Sequence, residues 1–210
     1  MVFCHTKIQK MYNAAPVFDT STLIMSQKAK LIEINNQYTV SNDQGQVLAT
    51  VNQVGQSKAK KVLRLVSNLD QYMTHKLEIA EPNGDVIMRL TRPRKIIKST
   101  VIVADANDNE IGRIVQENMI GKIHFAMEVN GQKVGSIRAE SWLAWDFRIE
   151  DASGNEIARI DKTWAGALTE LFTTADNYAV SIKTTIEQPL LSLVVAAALS
   201  VDTALKQDSN

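Results

Sequence analysis

Few residues of this chain have the type and spacing to do chemistry. His5, His75 and His124 lie in three separate segments, with no His-x-x-x-His pair, and the single cysteine is Cys4. Neither a zinc site nor a nucleophile–base pair takes shape from such a set. The bland reading, histidines at the surface or the rim of a core, suits each of the three. The carboxylates Asp43, Asp85, Asp105, Asp108 and Asp151 all fall in stretches rich in Gly and Asn. There Asx side chains hold their own backbone turns, which predicts a structural role. The glycines are spread one to a turn rather than gathered into a phosphate loop. The expectation is a protein without enzymatic activity and without a cofactor.

Two cationic clusters remain. Lys58, Lys60, Lys61 and Arg64 form one; Arg92, Arg94, Lys95 and Lys98 form the other, around Pro93. Clustered guanidinium and ammonium groups in loops can hold phosphate groups, while a solvated charged loop would look the same. The whole chain balances 23 Lys and Arg against 23 Asp and Glu. Global charge therefore argues against nucleic acid as the main partner, and affinity for anions has to come from a local patch.

The elements that must position these groups show themselves by periodicity. Tyr38–Val40 and Val47–Val51 alternate on either side of Asn42-Asp43-Gln44-Gly45. The same arrangement returns at Leu77–Ile79 with Val86–Leu90, at Val101–Val103 with Ile111–Ile114, at Phe125–Val129 with Val134–Ile137, and at Phe147–Glu150 with Ile157–Ile160. Each pair is joined by a Gly, Asn or Asp turn able to supply positive φ, which predicts five β-hairpins. Thr22–Ser26, Lys61–Val66 and Tyr178–Ile182 read as further strands. Residues 1–15 read as a flexible tail, 16–206 as one domain, and 207–210 as a polar tail. The first twelve residues have no apolar stretch of the kind a secretory leader needs, and Val2 does not fit a myristoylation signal.

The C-terminal run from Leu190 to Val201, opened by Pro189, is apolar on every side of a helix. Such a helix has to be surrounded by protein or by lipid. From Leu190 to Leu205 it would rise roughly 24 Å, short of the ~30 Å of a bilayer core, so burial in protein is the better reading. About a dozen antiparallel strands curl or close rather than stay flat, and closure removes their edges. A barrel that wide has a lumen its own side chains do not fill, and a helix 10–12 Å across fits it. The fold expected is a mainly β, closed antiparallel barrel of about twelve strands enclosing a hydrophobic C-terminal α-helix.

Three stretches carry a family resemblance: Asn35–Gln46, Leu90-Thr91-Arg92-Pro93, and Ile157–Gly166 continuing through Glu170–Tyr178. With the apolar helix, they resemble the phospholipid scramblase family, in the same order over about residues 16–206. The wider superfamily takes in tubby C-terminal domains and LURP-one-related proteins. The resemblance implies a twelve-stranded barrel around a central helix, and a protein that binds or moves phospholipids at a membrane surface. The alternative is a soluble phosphoinositide- or lipid-binding sensor without transport. Anionic phospholipids or a membrane surface are the partners implied, with a cytoplasmic location, peripheral at the inner face of the plasma membrane. Within the motif W-x-G…E-x-F-T-x-A-D-N-[FY], Trp164, Gly166, Phe172, Asp176 and Asn177 are expected to be structural. The family's calcium segment begins and ends with Asp; here those positions are Thr174 and Thr185, which leaves Asp176 as the one carboxylate. Calcium takes six to eight oxygens, several of them carboxylates, so only weak binding is expected. Cysteine clusters used for acylation in the family are reduced here to Cys4. Trp142, Trp145 and Trp164 are candidate interfacial anchors; Trp142 and Trp145, three apart, would face opposite ways in a strand.

Overall fold

The computed structural model describes residues 15–27, 36–55, 74–93, 99–118, 124–141, 145–162 and 177–208. The five expected hairpins all form: β2 (Asn36–Ser41) with β3 (Val47–Val54), β4 (His75–Ala80) with β5 (Val86–Arg92), and β6 (Thr100–Asp105) with β7 (Glu110–Gln116). The remaining two are β8 (His124–Val129) with β9 (Gln132–Ser141), and β10 (Asp146–Asp151) with β11 (Glu156–Asp161). Strand β1 (Thr22–Gln27) lies between β2 and β12 (Asn177–Ile182), and β11 pairs with the other edge of β12. The sheet thereby closes into a twelve-stranded antiparallel barrel in which neighbours in space are neighbours in sequence, apart from the β1–β12 seam. The strand expected at Lys61–Val66 lies outside the described residues.

Four hairpins share one five-residue turn. The first residue receives a backbone hydrogen bond from the fourth and donates one to the fifth: Asn42 with Gly45 and Gln46, Glu81 with Gly84 and Asp85, Asp105 with Asp108 and Asn109, Asp151 with Gly154 and Asn155. The fourth residue has positive φ in every case, and a bulge follows in the strand ladder. This is a type I turn closed by a residue in the left-handed region, the usual partner of such a bulge. Side chains lock it. Asp105 Oδ1 accepts from the backbone N–H groups of Asn107 (2.8 Å) and Asn109 (2.9 Å), and Asp151 does the same with Ser153 and Asn155. In the first turn that role belongs to Asn42 rather than Asp43, and Asp108 instead faces Arg89 at 3.5 Å. The fifth hairpin turns on two residues, Asn130 and Gly131, both with positive φ.

The helix α1 (Leu190–Asp208) follows β12 through a short connection. At its start the Gln188 side-chain oxygen accepts from the Ser192 N–H (3.2 Å) and hydroxyl (2.6 Å), satisfying donors that a helix start leaves open. Ser192 to Val201, ten residues in a row, are at most 3% exposed. At 3.6 residues per turn such a run visits every direction around the axis, so this stretch of α1 is enclosed on all sides, within the same apolar cluster as the inward residues of the strands. The Ser200 hydroxyl, sealed in that core, donates to the Ala196 carbonyl at 2.7 Å. Ala15 and Val17, ahead of β1, join the same cluster. No helix among the described residues is long and apolar enough to cross a membrane.

Candidate functional site

The up-and-down order of the strands divides the barrel into two rims. At one rim lie the five hairpin turns and the connection into α1. At the other, β3 ends and β4 begins, β5 ends and β6 begins, and β11 ends and β12 begins. Both cationic clusters and the W-x-G…A-D-N motif belong in sequence to connections that leave from this second rim. Of the eight cationic residues, Arg92 alone is described; Lys58, Lys60, Lys61, Arg64, Arg94, Lys95 and Lys98 lie outside the described residues. So do Trp142, Trp164, Gly166, Phe172 and Asp176.

Arg92 does not sit in a loop. It is the last residue of β5, on the same inward face as Met88 and Leu90, and is 8% exposed. Directly across from it in register stands His75 of β4, also buried, whose Nδ1 lies 3.2 Å from Gln53 Nε2 on β3. Next to them Ser99 and Gln116 join through the Ser99 N–H and the Gln116 side-chain oxygen, at 3.2 Å. From β3 to β7 the inner wall of this rim is thus polar, whereas the layers below it are aliphatic. Strand parity carried this information: Met88, Leu90 and Arg92 alternate as one face.

Trp145 shows how the rim is packed. It precedes β10 with φ of 53°, outside the strand, so two-residue alternation does not govern it, and Trp142, expected to face the other way, lies outside the described residues. The half-buried ring meets Phe147 edge-on (6.3 Å between centroids) and Tyr178 at a tilt (5.9 Å), with Lys162 Nζ 4.3 Å over its face. Asn177 is buried at the start of β12, opposite Ser26.

The outer wall holds a feature that sequence reasoning missed. Arg138 of β9, Arg148 of β10 and Arg159 of β11 lie directly opposite one another across adjacent strands. Like charges so placed repel, and interleaved carboxylates neutralise them. Glu150, buried, faces Arg138 at 2.9 Å and Arg148 at 3.2 Å, and accepts a hydrogen bond from Ser136. Glu140 pairs with Arg148, and Asp146 with Arg159, both at 2.8 Å. The Asp146 hydrogen bond, then Glu156, raise Arg159 above the ordinary guanidinium value. Glu156 is held below the usual carboxylate range, first by Lys183 and then by Arg159. Each arginine is committed to a carboxylate, so this ladder is a clasp for the sheet rather than an anion receptor. Only the strand register brings these residues together, and no spacing in the sequence announces it.

A polar cleft of about 310 Å³ opens at the turn rim between Glu110, Arg113, Glu128, Asn130 and Gly131. Arg113 donates to both Glu110 oxygens, at 2.8 and 3.0 Å, which lowers Glu110 and raises Arg113 relative to their ordinary values. Such a saturated pair is poorly suited to proton transfer, which needs a group poised near the working pH.

A family model described as Scramblase matches residues 5–205. The chain belongs to the Scramblase family. Among solved structures it is similar to an X-ray structure of a protein from Arabidopsis thaliana, AT5G01750, at 12% identity and a TM-score of 0.49. That match covers 86% of this chain and 91% of the other. No curated protein sequence matches it.

In this scramblase-family barrel a strand runs through the segment where the resemblance implies calcium. Asn177 opens β12 at one rim, and Thr185 lies three residues beyond Ile182, past the other rim. Five strand steps separate Asn177 from Ile182 by about 17 Å, whereas calcium ligands stand within about 2.6 Å of the ion. Asn177 and Thr185 therefore cannot share one ion; Thr174 and Asp176 lie outside the described residues. Among the described residues no three His, Cys, Asp or Glu side chains converge on a point.

Proposed function

We propose that this scramblase-family barrel binds anionic phospholipid head groups at a membrane surface, through the rim from which its cationic connections leave. The observation that carries this reading is the uneven distribution of charge in a chain with no net charge. The five hairpin turns contain Asp43, Glu81, Asp85, Asp105, Asp108 and Asp151 and not one Lys or Arg. The connections from β3 to β4 and from β5 to β6, which depart from the opposite rim, carry Lys58, Lys60, Lys61 and Arg64, then Arg94, Lys95 and Lys98. A barrel polarised in this way turns its cationic end toward a negative surface. Each Lys or Arg near such a surface contributes about 1 kcal/mol. Arg92, drawn into the inner wall, supports the rim from within in this reading and is not counted among the contacts.

Binding rather than lipid movement is the form of the proposal favoured by α1. Lipid translocation requires a hydrophilic path through ~30 Å of hydrocarbon, and the barrel axis is taken by an aliphatic helix. The test is co-sedimentation with phosphatidylcholine vesicles, with and without phosphatidylserine. The triple reversal R94E/K95E/K98E is expected to weaken binding to the anionic vesicles roughly a hundredfold, at about 1.4 kcal/mol per factor of ten. The reversal D43K/D85K on the turn rim should leave binding intact. Equal loss from both variants, or no loss from the first, overturns the assignment of the rim. Accelerated exchange of fluorescent lipids between leaflets by the purified chain overturns the restriction to binding.

A further inference from the structure

The chain contains two Asn-Gly dipeptides, Asn83-Gly84 and Asn130-Gly131, each at the tip of a hairpin on the turn rim. Asn-Gly is the dipeptide in which a side-chain amide is most open to attack by the following backbone nitrogen, because glycine has no side chain to obstruct the approach. The two sites are held very differently. At Asn83-Gly84 both reacting partners are tied down. The Gly84 N–H, the nucleophile, donates to the Glu81 carbonyl at 2.9 Å. The Asn83 amide, the electrophile, accepts from the Asp85 N–H and donates to Asp85 Oδ2, both at 3.0 Å. The Glu81–Asp85 backbone bond then closes the loop. At Asn130-Gly131 the turn has only two residues between the paired Val129 and Gln132. Among the described residues the Gly131 N–H enters no turn hydrogen bond and the Asn130 amide has no partner. Both residues are exposed, on the wall of the polar cleft beside Glu110, Arg113 and Glu128.

We infer that Asn130 is a site of spontaneous deamidation in the folded protein and that Asn83 is protected from it. The Gly131 nitrogen bonds to Asn130 Cγ and gives up its proton, the Cγ–Nδ2 bond breaks, and the amide nitrogen departs as ammonia carrying that proton. Water then opens the resulting succinimide at either carbonyl, leaving aspartate or isoaspartate; no oxidant or reductant takes part. The left-handed conformation of Asn130 has to relax before the nitrogen can reach Cγ, so the reaction passes through local opening of the tip. Opening is easiest where few hydrogen bonds restrain the backbone, and fewer restrain the tip at Asn130 than the tip at Asn83. The product adds a negative charge to a cleft that holds two carboxylates against one guanidinium. Its isoaspartate form inserts an extra backbone carbon into a turn whose length sets the register of β8 against β9.

The experiment is incubation of the full chain at mildly alkaline pH, folded and in denaturant, followed by peptide mapping by mass spectrometry. In denaturant the two sites should convert at comparable rates. In the folded chain Asn130 should convert at least about tenfold faster than Asn83, as expected if the additional bonds at Asn83 must break first. The variant D85A, which removes the acceptor for the Asn83 amide, should raise the rate at Asn83 without changing that at Asn130. Equal rates at the two sites in the folded chain overturn the inference. So does a D85A chain in which Asn83 stays as slow as before.

Discussion

Glu156 concentrates much of the electrostatics of the outer wall in one carboxylate. Lys183 and Arg159 both reach it, and its proton affinity is lower in the folded chain than in the unfolded one. Such a group stabilises the fold at pH values above the ordinary Glu range, near 4.3, and that contribution is lost as pH falls through the folded value. Its side chain is 23% exposed, so its contribution is of the order of a surface pair, up to about 1 kcal/mol. E156Q is therefore expected to lower the urea midpoint modestly at pH 7, with the difference from the parent chain shrinking as the pH falls below the ordinary Glu range and gone once it lies below the lowered folded value. A gap that persists in acid would assign the loss to hydrogen bonding instead of charge. Asp151 shifts in the same direction, first through Asn155, and belongs to the same acid-sensitive set. Little of this was legible in the sequence. The turn carboxylates were, because Asp followed by Gly and Asn is a local arrangement. The arginine ladder was not, because Arg138, Arg148 and Arg159 meet only once three strands are in register.

At the scale of elements, the hairpins were readable because alternation and turn chemistry are both local, and α1 because a run with no polar face has one kind of home. What could not be read is where two elements approach each other most closely. Gly112 of β7 and Gly135 of β9 mark those places. A Cβ at Gly112 would lie 2.4 Å from the Glu128 carbonyl oxygen and 3.2 Å from Leu193 of α1; one at Gly135 would lie 2.6 Å from the Glu150 carbonyl oxygen and 2.7 Å from Met127. Neither glycine has positive φ, so the constraint is space and not backbone conformation. The nearest neighbour of each is a backbone carbonyl of the adjacent strand, which cannot swing aside as the side-chain tips of Leu193 and Met127 can. G112A and G135A should each destabilise the barrel by about 1–3 kcal/mol, the usual range for overpacking, as read by chemical unfolding. Alanine at Gly131, in open space, would be opposed by its φ of 77° and not by contacts. The rim connections remained the least legible part. Arg92 looked like one more loop cation, and its place on the inner wall followed from parity that Pro93 and the surrounding charges obscured.

For the whole molecule, the decisive fact is that the barrel has no core without α1. The strands point Leu23, Val51, Ile79, Val103, Ile137 and Ile160 at the helix side of the wall, and the helix returns Leu193 to Val201. Truncating one such side chain, as in L199A, is expected to cost about 2–5 kcal/mol, within reach of the 5–15 kcal/mol that holds a typical domain together. Deleting residues 189–210 removes all of them, and the expected outcome is loss of the strand signal in circular dichroism together with loss of amide-exchange protection. A truncated chain that keeps a cooperative thermal transition would mean that the wall stands alone, and that α1 is an accessory to it.

The order of these parts along the chain has a consequence for biogenesis. All twelve staves leave the ribosome before the peg that fills them, at the usual 5–20 residues per second. Until α1 is synthesised, every completed hairpin displays a greasy side with nothing to cover it. Nascent chains stalled between β12 and α1 should therefore be avid clients of holding chaperones and readily form insoluble deposits, while release of the last few turns of polypeptide should end both behaviours at once.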